Sequence, residues 1–425
     1  MKLDYKRTLL LGFGFFGISI IWSIYNSYVP VFLKEYGISL TMVGLIMTFD
    51  NWIAIVIQPW IGFLSDRTRS RIGRRKPFLL IGAPIAAVFF CLIPVLHLNL
   101  AQAAGALAAV MAVAIIMNIA MSLFRTPTIA LMPDITPSPL RSQANGIINF
   151  MGGLGTAIAF LGGAYLYNAG RGLPFFAAAL IMLGAVGMVL LFIREPAVRE
   201  HRTDEVGTET RQGVLPTIKE IISDSDKSAL FILLAILCWF IGYNALETFW
   251  TTYGKEFLGI GESRASAMLT YFALSFLVFA LPAGFIAGKI GRKRTIMIGL
   301  IALTLLFAGG YFTANLTYLS VMLVAGGISW ALVNVNSLAM VVDIAPQSKL
   351  GSYTGLYYFF SMAAAIISPP IVGWLIDVTD YKSMFIITPL FMLLALLSMT
   401  RVTRGEALKD VTVDAALGQV GDTDF

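Results

Sequence analysis

Gly62–Lys76 reads GFLSDRTRSRIGRRK, and 222 positions later Gly284–Arg294 reads GFIAGKIGRKR. With Arg67-Thr68-Arg69-Ser70 set aside, the two align without another gap. Each follows a long apolar run and precedes another. A second echo accompanies them: Asp134-Ile135-Thr136-Pro137 returns as Asp343-Ile344-Ala345-Pro346. In both copies a glycine follows the proline by nine residues, at Gly146 and Gly355. Punctuation repeated in the same order marks a chain built twice in the same orientation.

The runs between these marks are membrane spans. The chain is 58% hydrophobic and 13% charged, against roughly a quarter charged in soluble proteins. A spanning helix needs about 20 mostly apolar residues. Twelve such runs are found, at 8–33, 41–64, 77–98, 103–131, 142–168, 173–194, 228–254, 263–288, 295–313, 316–342, 350–376 and 383–400. The first run is too long for a secretion signal and lacks a small-x-small cleavage site. The expected fold is an all-α membrane protein of twelve transmembrane helices in two six-helix, pseudo-symmetric bundles. Its parts are an N-terminal bundle (1–194), a linker (195–227), a C-terminal bundle (228–404) and a disordered tail (405–425). Leu215 to Ile222 reads as a short amphipathic helix inside the linker.

Loop charge sets orientation. With the N-terminus in the cytoplasm, 24 of the 30 Lys and Arg fall in cytoplasmic segments and five outside, with Arg125 in a span. Both termini are therefore expected to be cytoplasmic, in a plasma (inner) membrane protein. The same placement explains the net charge of +6 as a topology signal, so no nucleic-acid partner is expected. Cys91 and Cys238 lie in apolar runs and read as small core residues. Neither His97 nor His201 has metal-ligand spacing around it, so no metal and no cofactor is expected. The chain has no glycine-rich phosphate cradle and no nucleophile–base set, which argues against direct ATP drive and against an enzyme.

The basic loop carries a resemblance. Gly62, Asp66 and Arg67, followed by Gly73, Arg74 and Arg75, resemble the signature loop of the major facilitator superfamily. The resemblance spans the chain through the repeat and the helix count, and it implies two six-helix bundles around a central cavity. Ser65 to Phe78, with Gln58-Pro59 before it, is similar to the loop of sucrose/proton symporters and their glycoside-carrying relatives; the extra Arg-Thr-Arg-Ser block is typical of that group. Arg125, seven residues after Asn118, also resembles their pattern. Two positions depart from it. Ala114 stands where those carriers have a membrane aspartate. Gln58 stands where sodium-coupled melibiose carriers have one, which argues against a sodium site of that type. The loop residues, with Asp134 and Arg141, are expected to form a conformational latch, Asp66 reaching the opposite bundle when the cytoplasmic side closes.

Three charges remain inside the spans, each costing about 2.5–3.5 kcal/mol at the bilayer centre on insertion scales. Asp50 and Glu247 are the expected proton-coupling acids. Arg125, placed nearer the cytoplasmic side, is expected to donate to substrate hydroxyls or a carboxylate. Asn26, Asn118, Ser122, Asn149, Tyr243, Asn244, Trp330, Asn334 and Tyr357 complete a candidate substrate set, because a sugar needs amides for its hydroxyls and aromatic faces for its C–H surfaces. Interhelical hydrogen bonding is the alternative for any one of them. The expectation is a monomeric secondary transporter for a glycoside or disaccharide, driven by protons. An efflux carrier for a small amphiphile and a non-transporting sensor are the alternatives.

Overall fold

A computed structural model describes residues 4–100, 103–136, 140–195, 214–224, 226–346 and 349–405. All but the first residue of the expected tail at 405–425, and most of the linker, lie outside the described residues. Fourteen α-helices follow in order: α1 Tyr5–Glu35, α2 Leu40–Met47, α3 Phe49–Arg67, α4 Lys76–Leu100, α5 Ala106–Ile135, α6 Arg141–Ala169, α7 Leu173–Phe192, α8 Val214–Ser223, α9 Ser228–Glu256, α10 Glu262–Ile290, α11 Arg292–Tyr311, α12 Leu316–Ile344, α13 Leu350–Val378 and α14 Met384–Thr400. Twelve segments are long and apolar enough to cross a membrane, with α2 and α3 together making the second. The short helix expected in the linker is α8.

Pairing within the halves follows the duplication. In the first half α1 packs on α6 and α7, and α5 on α3 and α4. In the second half α9 packs on α13 and α14, and α12 on α10 and α11. The halves meet symmetrically, α2 against α13 and α6 against α10, with α1 and α9 crossing between them. Lipid solvates the outer faces, where side chains such as Leu180, Phe285 and Leu191 stand exposed.

The two ends of the interface differ. The end away from the termini, called the far end below, is tightly closed. A Cβ added to Gly44 would lie 2.3 Å from the Pro369 carbonyl oxygen, and one added to Gly373 would lie 2.2 Å from that of Leu40. Only paired glycines allow α2 and α13 to approach this closely. The Asp377 carboxylate, on α13, then accepts the Leu40 and Thr41 N–H groups at 2.8 Å and the Thr41 hydroxyl at 2.7 Å, capping α2 from the other half. A second clasp centres on Glu35, which accepts from Arg171 at 2.6 Å in its own half and Lys255 at 2.5 Å in the other, and meets His97 Nε2 at 2.8 Å. Glu262 in the second half is shared by the same two cations, at 3.7 Å and 3.0 Å. Burial opposes the charge on Arg171, but its bonds to Glu35 and Tyr167 hold the guanidinium above the ordinary arginine range.

At the end that carries the termini, the basic end, the ion pairs Arg74–Asp134, Arg75–Asp134, Arg75–Asp66 and Arg292–Asp343 stay within one bundle, and Lys349–Glu220 joins the second bundle to α8. A Cβ added to Gly146, Gly284, Gly288 or Gly355 would meet nothing within 4 Å. The chain is thus closed at the far end and open at the basic end.

Candidate functional site

The second span is expected to be one continuous helix and is not. It breaks at Thr48, whose N–H and hydroxyl both turn back to the Leu45 carbonyl, at 3.2 Å and 2.8 Å. The helix restarts at Phe49, which puts Asp50 in the first turn of α3. A carboxylate there lies at the positive dipole end of a half-helix. No proline or glycine marks position 48, so the break leaves no sequence signal. The neighbouring Asn51 amide donates to Asp50 Oδ1 at 2.8 Å.

Asp50 lines a cavity of about 220 Å³ between the halves, with Trp22, Asn26, Asn51, Arg125, Asn244, Glu247 and Thr248 around it and Pro369 on its rim. All three intramembrane charges of the sequence therefore share one space. The expected difference in depth between Arg125 and Asp50 does not keep them apart: both line this cavity, though no ion pair joins them. A proline at 127 and the break at 48 set both groups on helices free to bend. Across the cavity, the Glu247 carboxylate faces Tyr243 on its own helix and Asn26 on α1. Each half thus contributes one acid, and the first half adds the cation.

Of the expected substrate residues, Asn26, Arg125 and Asn244 line the cavity. Asn118 and Ser122 are buried two turns and one turn along from Arg125, respectively, with Asn118 Oδ1 lacking a partner. Tyr243 stacks on Trp330 with ring centroids 4.7 Å apart, and Tyr357 bonds to Ser337 at 3.1 Å, so these aromatics form a wall rather than a free platform. Asn334 is half-buried and Asn149 is exposed; neither lines the cavity. Sequence reasoning missed Asn51 and the far-end cluster. Arg171 and Lys255 counted there only as loop charges, although Glu35 and Glu262 stand beside the same helix ends.

The basic loops explain both sequence echoes together. Arg74 donates to Asp134 at 2.5 Å in the first half, and the aligned Arg292 pairs with the aligned Asp343 in the second. Arg75, buried, also reaches Asp134 at 3.1 Å and Ser65 at 2.5 Å, and pairs with Asp66. Arg67 lies over the Phe63 ring at 3.9 Å. Gly73 has φ +116°, and a Cβ on it would sit 2.5–2.8 Å from the Glu195 carboxylate. That carboxylate accepts the N–H groups of Arg74, Arg75 and Lys76 at 2.8–3.1 Å and so caps α4. Gly62 leaves room beside Thr126. Arg141 opens α6, and its side chain lies outside the description. All of these bonds stay inside one half. Asp66 is the exposed acid of the loop, with 55% of its side chain accessible.

The comparisons with known proteins agree with this architecture. A family profile described as MFS/sugar transport protein matches residues 10–401. The tetracycline resistance protein, class B, of Escherichia coli is 25% identical over 409 residues, covering 89% of this chain and 92% of that one. The candidate glycoside/cation symporter YagG of Escherichia coli strain K12 is 22% identical over 408 residues, covering 91% and 86%. Among solved structures, the nucleoside transporter NupG superposes with a TM-score of 0.72 at 15% identity, covering 94% of this chain and all of that one. The family match over nearly the whole chain, with the duplicated twelve-span fold, makes this protein a member of the MFS/sugar transport family.

Proposed function

We propose that the protein is a proton-coupled secondary transporter that moves a glycoside or disaccharide by alternating access. The observation that carries this reading is the cavity between the halves, where two carboxylates, one guanidinium and three amides meet. Charges are expensive in a membrane and persist where they bind or couple. Amides and carboxylates are the acceptors and donors that sugar hydroxyls need. At about 220 Å³ the cavity is smaller than the roughly 300–1,000 Å³ of ordinary ligand pockets. It suits one sugar ring, with a second ring extending towards the basic end.

The basic end is cytoplasmic in this proposal, as the loop charge requires, and one chain holds the whole pathway, so a monomer suffices. Asp50 is the first coupling acid and Glu247 the second. Asp50 carries the proton because Arg125 and the α3 dipole make its charge state responsive to what occupies the cavity. One charge moving through 100 mV is worth about 2.3 kcal/mol, which supports roughly 45-fold accumulation. When the cytoplasmic end closes, exposed Asp66 exchanges its Arg75 partner for a group of the second half, which is the latch expected of this loop.

The test is Asp50→Asn in proteoliposomes. Loss of uphill uptake with retained solute exchange supports the assignment. Unchanged uphill uptake removes Asp50 from coupling. Export driven by inward proton flow, as the likeness to a tetracycline resistance protein suggests, would appear as accumulation in inside-out vesicles only.

A further inference from the structure

Between the far-end clasp and the cavity lies a layer of buried hydroxyls. It comprises Ser27 and Tyr28 on α1, Thr251 and Thr252 on α9, and Ser266 and Thr270 on α10. All are at most 9% exposed; Ser27, Thr251, Thr252 and Thr270 have no hydrogen-bond partner, and Tyr28 and Ser266 have only each other across the seam. Many other hydroxyls in the spans satisfy themselves on their own helix. Thr128, Thr304, Ser320, Ser329 and Ser398 each donate to the carbonyl four residues back, at 2.7–2.9 Å. That bond is open to any serine or threonine in a helix. The serines and threonines of this layer forgo it.

Their spacing shows where they point. Glu247, Thr251 and Lys255 are four residues apart on α9, and Glu262, Ser266 and Thr270 are four apart on α10, so each set forms a stripe along one helix face. One stripe starts at the cavity and ends at Lys255 of the clasp; the other starts at Glu262 of the clasp and descends. Tyr28 of the first half faces Ser266 of the second across the seam. At about 1.5 Å per residue, the layer lies roughly 6–12 Å below the clasp. Its Tyr28–Ser266 contact lies on the surface that would be parted if the far end opened.

We propose that this layer is an outer subsite for the same hydroxyl-rich solute: Thr251, Ser266 and Tyr28 hold its hydroxyls when the far end is open, before it descends to the cavity. The assignment rests on the transport reading above. In the closed state four of these groups are buried without partners, which is costly. Opening the seam gives them water or solute hydroxyls in exchange. The layer therefore both recognises the solute and opposes the clasp, so that neither end is closed for good.

The test uses Thr251→Cys and Ser266→Cys in a chain freed of Cys91 and Cys238 by serine substitution. The protein is reconstituted in liposomes and treated with a membrane-impermeant maleimide from the far-end side, with and without sucrose, melibiose or methyl glucoside. Both cysteines are expected to label from that side. A transported sugar at ten times its half-saturating concentration is expected to slow labelling about tenfold. In parallel, Thr251→Val is expected to raise the apparent KM about fivefold for solute entering from the far end, and to leave the value from the basic end unchanged. An absence of far-side labelling overturns the proposal. Flux of the sugars measured on the parent chain separates the other failures. Flux without protection removes the subsite, and absence of flux for every sugar removes the function on which it rests.

Discussion

Gly373→Ala puts one methyl group into the tightest contact between the halves. The added Cβ would sit 2.2 Å from the Leu40 oxygen, 2.5 Å from its carbonyl carbon and 2.8 Å from the Thr41 nitrogen. These are backbone atoms and cannot swing aside. Reaching the ordinary contact distance of 3.4 Å requires α2 and α13 to separate by 1.2 Å. The three bonds to Asp377, now 2.7–2.8 Å, would lengthen to about 4 Å and cease to be hydrogen bonds. A hydrogen bond to a charged group is worth about 1.5–3 kcal/mol net. Asp377 is exposed, so about 1 kcal/mol each is the appropriate scale. The far-end closure then loses about 3 kcal/mol, which shifts the balance of states roughly a hundredfold towards far-end opening. Electron–electron resonance between spin labels at Asn168 and Phe312, both exposed, reads that balance as a distance distribution. A new, longer population is expected in Gly373→Ala. An unchanged distribution would refute the view that the α2–α13 contact holds this end shut.

Three further outcomes follow from the same geometry. The cycle Glu35→Gln with Lys255→Met is expected to give a coupling of about 1 kcal/mol in far-end closure, the scale of a partly exposed ion-pair network; zero coupling would remove Glu35 from the clasp. Gly73→Ala forces a side chain to a left-handed φ and displaces Glu195, so a loss of about 2–3 kcal/mol is expected in detergent unfolding, whereas Gly146→Ala, with open space at its Cβ, is expected to be neutral or slightly stabilising. Asp134→Asn leaves the buried Arg75 with a weakened partner set and is expected to cost about 2 kcal/mol, seen as a lowered Tm that the same change at the more exposed Asp343 does not match.

Much of the fold was legible because membrane solvation writes it in composition. Apolar runs gave the spans, and repeated loops gave the two bundles. The same repeats paired Arg74 with Asp134 and Arg292 with Asp343, although the partners lie 60 and 51 positions apart and nothing in either stretch names the other. The site was legible in part. Asp50, Arg125 and Glu247 stood out because each is a charge in an apolar run, and the structure brings them together. What sequence could not give was the break at Thr48, which depends on packing rather than on a breaker residue. The far-end clasp stayed hidden for a different reason: its residues sit at helix ends, where a charge is unremarkable until its partner is known. The aromatic residues at 243, 330 and 357 had the right chemistry for a sugar face, but they spend it on one another.

The central claim is that a solute and a proton share the cavity between the halves. Tracer uptake of labelled glycosides into proteoliposomes, with and without an imposed inward proton gradient, tests it most directly. The account predicts accumulation above the external concentration for at least one glycoside when the gradient is present, collapsing to equilibration when a protonophore is added. Equilibration regardless of the gradient, or no flux for any glycoside, would contradict it.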